Sequence, residues 1–263
     1  MINKKRKGII LAGGMGTRLS PVTKVINKHL IPIYDKPMIY YPLSILMLIK
    51  IKDILLISDE FSIKNYKSLL GDGTKIGLNI SYEIQKKPCG IAEAFIISKK
   101  FLNNSPSVLI LGDNIFYGSN LISYFNTANK SINSTLFTYK VSNPQDYGVL
   151  YQKGNKRKII EKPKKFYSNN AVVGIYFYDA KATHYVKKLN KSQRNELEIT
   201  DLNNIYLKKR KTKVIHLGRG IAWLDTGTFE GLLNASNFIK TLQERQGFKI
   251  GDINQIYKDI QKK

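Results

Sequence analysis

Continuous apolar runs of strand length recur through the first half of the chain. Residues 9–12 (Ile-Ile-Leu-Ala), 53–58 (Asp-Ile-Leu-Leu-Ile-Ser) and 107–111 (Ser-Val-Leu-Ile-Leu) lack polar alternation, as strands covered on both faces do. Between them, residues 38–49 read as a mostly buried helix interrupted by Pro42, and 62–70 as a short amphipathic helix stopped by Gly71-Asp72-Gly73. Residues 27–32 are irregular, 79–85 alternate loosely as a strand, and Gly90 opens a helix through Ala92, Ala94, Phe95 and Ile97. Strands alternating with helices predict an α/β fold: a doubly wound, mostly parallel, Rossmann-like sheet with helices on both faces. The second half changes pattern. Residues 134–141 and 172–178 are strand-like, and 147–152 and 158–161 flank a hairpin turn at Lys153-Gly154-Asn155-Lys156. Helices are expected at 183–189, 200–208 and about 228–246, a strand at 213–217, and a short basic tail at the end. No repeat, low-complexity tract or linker interrupts the chain, so one domain over 1–263 with an inserted antiparallel layer is expected.

Composition adds little to fold and more to compartment. The chain carries 43 Lys and Arg against 19 Asp and Glu, a net charge of +24. Such an excess can mark a nucleic-acid binder. Here the lysines are scattered through every segment and accompanied by many Ile and Asn, as in the drift of an AT-rich genome, so no nucleic-acid partner is expected. The field still favours anionic small molecules. Cys89 is the single cysteine, which excludes an internal disulfide. The basic stretch Lys4-Lys5-Arg6-Lys7 precedes an apolar run too short for a signal peptide or a membrane span. A cytoplasmic protein with no membrane partner is expected.

The candidate chemistry begins where the first apolar run ends, in Gly13-Gly14-Met15-Gly16-Thr17-Arg18-Leu19. Glycines allow positive φ, so backbone amides can converge on an anion, and Arg18 adds a planar cationic fork suited to phosphate. The same glycines also suit a plain tight turn. Counted from Gly14, a dinucleotide fingerprint needs Gly or Ala where Leu19 stands, and a P-loop needs Gly-Lys-Ser/Thr where Gly16-Thr17-Arg18 stands. Ligands of doubly wound sheets bind beyond the C-terminal strand ends, so this loop and Asp113, which follows strand 107–111, are expected to share a crevice. Asp113 and Asp225 suit turns, and equally suit a clamp on one Mg²⁺ that bridges to substrate phosphates. Lys162 ends a predicted strand beside Glu161, and Pro163 is expected to hold it extended. That pair suits a sugar hydroxyl and a phosphate, or an exposed ion pair. Gln85 can pair with a nucleobase, with Gly90 permitting close backbone approach. Tyr147, Gly148 and Trp223 suit a sugar wall or ordinary packing. Lys28 is one lysine among many. His29, His184 and His216 have no metal-site spacing, and Cys89 has no evident base.

Together these blocks are more specific than any one of them. Gly8-Ile9-Ile10-Leu11-Ala12-Gly13-Gly14-Met15-Gly16-Thr17-Arg18-Leu19, then Lys28 to Met38, Leu111 to Gly118, Glu161-Lys162-Pro163, Val173 to Tyr178, Glu196 to Asp201 and Ala222 to Gly227 resemble the nucleotidyltransferases that make nucleoside-diphosphate sugars, most closely their glucose-1-phosphate thymidylyltransferase branch. The resemblance runs over about 7–247 and leaves 248–263 as a short divergent tail. It implies Mg²⁺-dependent formation of dTDP-glucose and pyrophosphate from dTTP and glucose 1-phosphate, for deoxysugar (dTDP-rhamnose-type) and surface polysaccharide synthesis, in a homo-oligomer, a tetramer. By motif it places Arg18, Lys28, Asp113, Lys162 and Asp225 in catalysis, with Asp113 and Asp225 on the metal. Leu11, Gly13, Gly14, Gly16, Thr17, Arg18, Lys28, Gln85, Pro88, Gly90 and Asp113 match the nucleotide site, and Tyr147, Gly148, Glu161, Lys162, Val173 and Trp223 the sugar site. The chain departs from the pattern at Cys89, where Asp is usual, and at Glu93, where Gln is common. The family's regulatory nucleotide site draws on helical structure beyond the position of Lys263. Arg219 alone matches it, so feedback by dTDP-rhamnose is not expected.

Overall fold

A computed structural model describes residues 4–262. The elements are β1 (Lys7–Leu11), the short β2 (Pro32–Ile33) and β3 (Lys36–Pro37), α1 (Tyr40–Leu48), β4 (Asp53–Ser58), α2 (Glu60–Leu70), β5 (Asn79–Ile84), α3 (Ala94–Ile97), α4 (Lys99–Leu102), β6 (Ser107–Leu111) and β7 (Asn114–Gly118). They continue with α5 (Leu121–Lys130), β8 (Ser134–Lys140), β9 (Gly148–Lys153), β10 (Lys156–Glu161), β11 (Asn170–Tyr178), α6 (Ala182–Val186), α7 (Ile199–Lys208), β12 (Thr212–His216), β13 (Ile221–Asp225), α8 (Phe229–Gln246) and α9 (Ile253–Gln261).

The central sheet runs β5-β4-β1-β6-β11, with β1, β4, β5 and β6 parallel and β11 antiparallel to β6. The expected doubly wound architecture is present, and alternation explains it. Ile10, Leu56 and Ile110 face one layer with Leu46, Tyr66 and Phe125, while Ile9, Leu55 and Leu109 face the other with Phe95, Leu102 and Tyr206. Both faces are dry, so the strands need no polar positions. Beyond β6 the sheet becomes antiparallel. β11 pairs with β6 through Ile175–Tyr178 and meets β9 at Ala171, while its other edge pairs with β8. The β9–β10 hairpin turns at Gly154-Asn155. β7 and β13 form a separate antiparallel ribbon, with Asp225 opposite Asn114. No described helix is long and apolar enough to cross a membrane.

Three local readings change. The helix expected from Gly90 through Ile97 is a 3₁₀ turn over Ile91–Glu93 followed by the one-turn α3, and the Ala92 amide at its start bonds to the carbonyl of Leu197 (3.1 Å). The expected basic tail contains α9. Asp252 caps it by accepting from the amides of Asn254 and Gln255 (both 3.0 Å), and Ile253, Ile256 and Tyr257 join the core over α1. Arg6, sequentially part of a basic patch, turns inward instead. Only 8% exposed, its guanidinium donates to the carbonyls of Ser107 (2.8 Å), Tyr178 (2.6 Å) and Ser131 (2.8 Å). Burial brings its pKa down to about 10, against the charge of Asp179. Arg6→Met leaves these carbonyls without their donor and is expected to cost about 3 kcal/mol or more, read as a lower urea midpoint at unchanged slope.

Candidate active site

β1 ends at Leu11, whose side chain is buried in the core, and the chain turns through the glycine loop. Gly14 and Gly16 have φ of +107° and +56°, values that a side chain resists. Gly16 leads into a 3₁₀ turn over Thr17–Leu19. Leu19 is fully buried and anchors that turn, while Arg18 stays exposed. Gly13 does not take positive φ. It leaves room for Gln85 instead, whose Oε1 lies 2.7 Å from where a Cβ at position 13 would sit. Gly14, Thr17, Lys28, Gln85 and Pro88 line one cavity of about 770 Å³.

Lys28 is held from behind by a buried hub at Asn27. The Asn27 Oδ1 accepts from the His29 amide (3.0 Å) and the Tyr66 hydroxyl (2.9 Å), and its Nδ2 donates to the carbonyl of Ala12 (3.2 Å) and to Asp59 Oδ2 (2.9 Å). The hub joins the ends of β1 and β4 to the turn that carries Lys28. His29 is buried beneath it, and burial together with the charge of Lys28 brings its pKa down to about 4. A neutral imidazole therefore fills the space beside Gly112 at neutral pH.

Lys28 Nζ forms an ion pair with Asp113 Oδ2. Burial opposes ionisation of Asp113, but the charge of Lys28 prevails and holds its carboxyl well below the usual range. Asp225, across the β7–β13 ribbon, moves the other way: burial, then the negative charge of Asp113, raises its pKa. The two carboxylates therefore sense each other. Their ribbon is fixed through main chain, since the Thr226 hydroxyl donates to the Asp113 carbonyl (2.8 Å). Arg18 closes this side, with Nη2 resting 2.7 Å from where a Cβ at Gly227 would begin.

Arg18, Asp113 and Asp225 also line a second cavity of about 240 Å³, with Tyr147, Gly148, Glu161, Lys162 and Trp223. The Trp223 and Tyr147 rings lie 5.1 Å apart. Glu161 accepts from the Thr200 hydroxyl (2.5 Å) and Arg194 Nη2 (3.3 Å). Lys162 is not extended. Its φ is +40° and its amide donates to the Tyr147 carbonyl (3.0 Å), so the hairpin register overrides the preference set by Pro163. A left-handed non-glycine residue of this kind costs about 1 kcal/mol or more and tends to mark functional sites.

Besides Leu11, two expected residues stand elsewhere. Val173 is fully buried in the core, while its neighbours Val172 and Gly174 face the cleft, as strand alternation requires. Gly90 approaches the protein's own backbone: a Cβ there would strike the carbonyl oxygen of Leu197. The structure also adds Asn114 and Arg194. Asn114 Oδ1 accepts from Trp223 Nε1 (2.6 Å) and the Gly174 amide (3.0 Å), and its Nδ2 donates to Asp113 Oδ1 (2.8 Å). One side chain thus ties the carboxylate, the aromatic wall and β11 together. Its place beside Asp113 was the only signal in the sequence. Arg194 gave none, sitting among scattered polar residues.

The profile of the nucleotidyl transferase family matches residues 7–241. A glucose-1-phosphate thymidylyltransferase of Xanthomonas campestris pv. campestris is 51% identical, over 94% of this chain and 84% of its own. One of Neisseria meningitidis serogroup A is 49% identical, over 95% of this chain and 88% of its own. Among solved structures, a candidate glucose-1-phosphate thymidylyltransferase of Bacillus anthracis in complex with sucrose superposes with a TM-score of 0.81 at 40% identity, covering 89% of this chain and 94% of that one. A UDP-glucose pyrophosphorylase with bound UDP-glucose shares the fold, at a TM-score of 0.78 and 24% identity over 90% of this chain and 99% of that one. With a profile match over nearly its whole length and relatives identical at half their aligned positions, the chain that builds this loop, carboxylate pair and aromatic cleft belongs to the nucleotidyl transferase family.

Proposed function

We propose that this protein transfers a thymidylyl group from dTTP to glucose 1-phosphate, giving dTDP-glucose and pyrophosphate. The observation that carries this reading is the convergence of Arg18, Lys28, Asp113 and Asp225 where a cavity beside the glycine loop meets an aromatic-walled cleft. The names of relatives at about half identity favour thymidylyl and glucose 1-phosphate as the transferred group and its acceptor.

A phosphate oxygen of the sugar attacks the α-phosphorus of the nucleotide in line. One P–O bond forms as the bond to the pyrophosphate oxygen breaks, with no covalent enzyme intermediate. Such a reaction needs positioning and charge neutralisation rather than a nucleophile. The loop amides and Arg18 take the leaving pyrophosphate, Lys28 a phosphate of the nucleotide, and Lys162 the sugar phosphate. Glu161, oriented by Thr200 and Arg194, and the Tyr147–Trp223 wall take the sugar ring. Gln85 and Pro88, on the lining of the nucleotide-side cavity, are assigned to the base.

The residues present fit Mg²⁺. Asp113, in the turn just before β7, and Asp225, at the end of β13, are hard oxygen donors, and the charge of Asp113 acts on Asp225. Among the described residues no group of three or more His, Cys, Asp or Glu can hold a metal. Mg²⁺ held there by two carboxylates would complete its shell with substrate phosphates and water. When bound there, Mg²⁺ supplies neutralisation of the developing phosphate charge. Homo-oligomerisation and a cytoplasmic place, with dTDP-glucose passing to deoxysugar and polysaccharide synthesis, complete the proposal.

The test is pyrophosphate release with a panel of nucleoside triphosphates against glucose 1-phosphate. The highest kcat/KM is expected for dTTP. Product from no pair overturns the reading. Preference for UTP overturns the thymidylyl assignment and leaves the sugar-1-phosphate reaction standing.

A further inference from the structure

We infer that Glu93, in the turn before α3, is the residue that fixes which face of the Gln85 amide is offered to the nucleotide base, and so selects bases that carry an N–H on the ring nitrogen of the pairing edge. The inference rests on the dTTP reading above.

Gln85 follows the last residue of β5, is 7% exposed and lines the nucleotide-side cavity. Its main-chain amide donates to the carbonyl of Ser58 (2.8 Å), so its backbone is part of the parallel ladder. Its side-chain Nε2 donates to Glu93 Oε2 at 2.6 Å. A terminal amide can rotate by half a turn and exchange donor for acceptor at nearly unchanged shape. Glu93 removes that freedom, because a carboxylate has acceptors only. Whatever else changes, the atom facing Glu93 must be Nε2, and Oε1 must face away from it. Oε1 lies over Gly13, where the phosphate loop begins, and takes no hydrogen bond from the described residues. An acceptor fixed in that place matches the N3–H of thymine or uracil. It opposes the bare N3 of cytosine.

The surroundings keep the pair in place. Glu93 ends the 3₁₀ turn Ile91–Glu93, and that turn is docked on the neighbouring segment through Ala92 N to Leu197 O (3.1 Å) and Leu197 N to Cys89 O (2.7 Å). Gly90 permits this docking by lying against the backbone of Leu197. The glycine expected to admit the base to the backbone therefore serves to position the residue that orients the base reader. A glutamine at 93, the residue common in this pattern, is able to accept from Gln85 Nε2 or to donate to Gln85 Oε1. It permits both amide orientations, whereas glutamate permits one.

Steady-state kinetics of Glu93→Gln and Glu93→Leu with dTTP, dUTP and dCTP test the inference, with thermal unfolding to establish that each variant is folded. In Glu93→Leu, KM for dTTP is expected to rise about tenfold at a kcat within about twofold of the parent, the size of one misdirected hydrogen bond. The dTTP:dCTP preference should fall by at least the same factor, about tenfold, with dCTP turnover rising in absolute terms because a freed amide can donate to cytosine N3. Glu93→Gln should recover the dTTP KM to within about threefold while keeping part of the relaxed preference. The dTTP:dUTP ratio should not move in either variant, since both bases present the same N3–H. A purely structural role for Glu93 would instead lower all three substrates together. That result, or an unchanged dTTP:dCTP ratio in a folded Glu93→Leu variant, overturns the inference. Failure of the parent protein to use dTTP overturns the functional reading instead.

Discussion

Asp113→Asn is expected to lower kcat about a thousandfold or more while leaving the protein folded. The substitution keeps the shape of the side chain and removes its charge. It removes a proposed ligand of Mg²⁺ and the partner of Lys28 in one step. The fold should survive because the ribbon that carries Asp113 is tied through its main-chain carbonyl to Thr226 rather than through the carboxylate. Asn at 113 can still accept from Asn114 Nδ2 through its Oδ1. Loss of the ion pair leaves the Lys28 ammonium at a 13% exposed site without its counter-charge, a cost of about 1–3 kcal/mol. Pyrophosphate release measures the rate, and thermal unfolding the fold. A folded variant retaining activity within about tenfold of the parent would contradict the role assigned to this carboxylate.

Arg18→Ala is the second large expected effect: a fall in kcat of about 10²–10³-fold with little change in stability. Arg18 is exposed, and the turn it sits on is anchored by the buried Leu19. The guanidinium lies against Gly227 and near Asp225, on the lining of the smaller cavity. A cation placed there neutralises charge that grows on the leaving pyrophosphate, so its loss should appear in kcat more than in KM for the sugar phosphate. Arg18→Lys should restore only part of the rate, because an ammonium has no planar fork for two phosphate oxygens. A KM defect alone, at full kcat, would place Arg18 in binding and not in transition-state stabilisation.

The sequence was legible where the information is local. β4 and β6 coincide with runs of unbroken apolar residues, because both faces of these strands are dry and no polar position interrupts the pattern. The glycine loop and the aspartates at strand ends were readable for a related reason: a strand that stops abruptly in glycine or aspartate shows where the sheet presents its ligand edge. What escaped depended on partners distant in the chain. Arg6 looks like surface charge until the carbonyls of Ser107, Ser131 and Tyr178 gather round it. Lys162 takes a left-handed φ because the Tyr147 carbonyl requires its amide there. α9 is the exception: Ile253, Ile256, Tyr257 and Ile260 fall at helical spacing behind the Asp252 cap, a local signal that the basic-tail reading passes over, and the helix packs beside α1. The family motif puts Val173 on the sugar, yet strand alternation turns its side chain into the core and leaves Val172 and Gly174 facing the cleft.

The Asn27 hub has an evolutionary consequence. Lys28 is held by the ends of β1 and β4 and by Tyr66, not by the stretch of chain that leads to it. Arg18 is placed by Leu19 beneath its own turn. The segment between them still takes part in the site: Thr23 donates to the Gly16 carbonyl (2.9 Å), and Ser20, Thr23, Lys24 and Ile26 line the nucleotide-side cavity. Only its solvent-facing positions, Val22 and Val25, are free to accumulate substitutions, and to be recruited to new contacts, at little cost to the geometry around the phosphates.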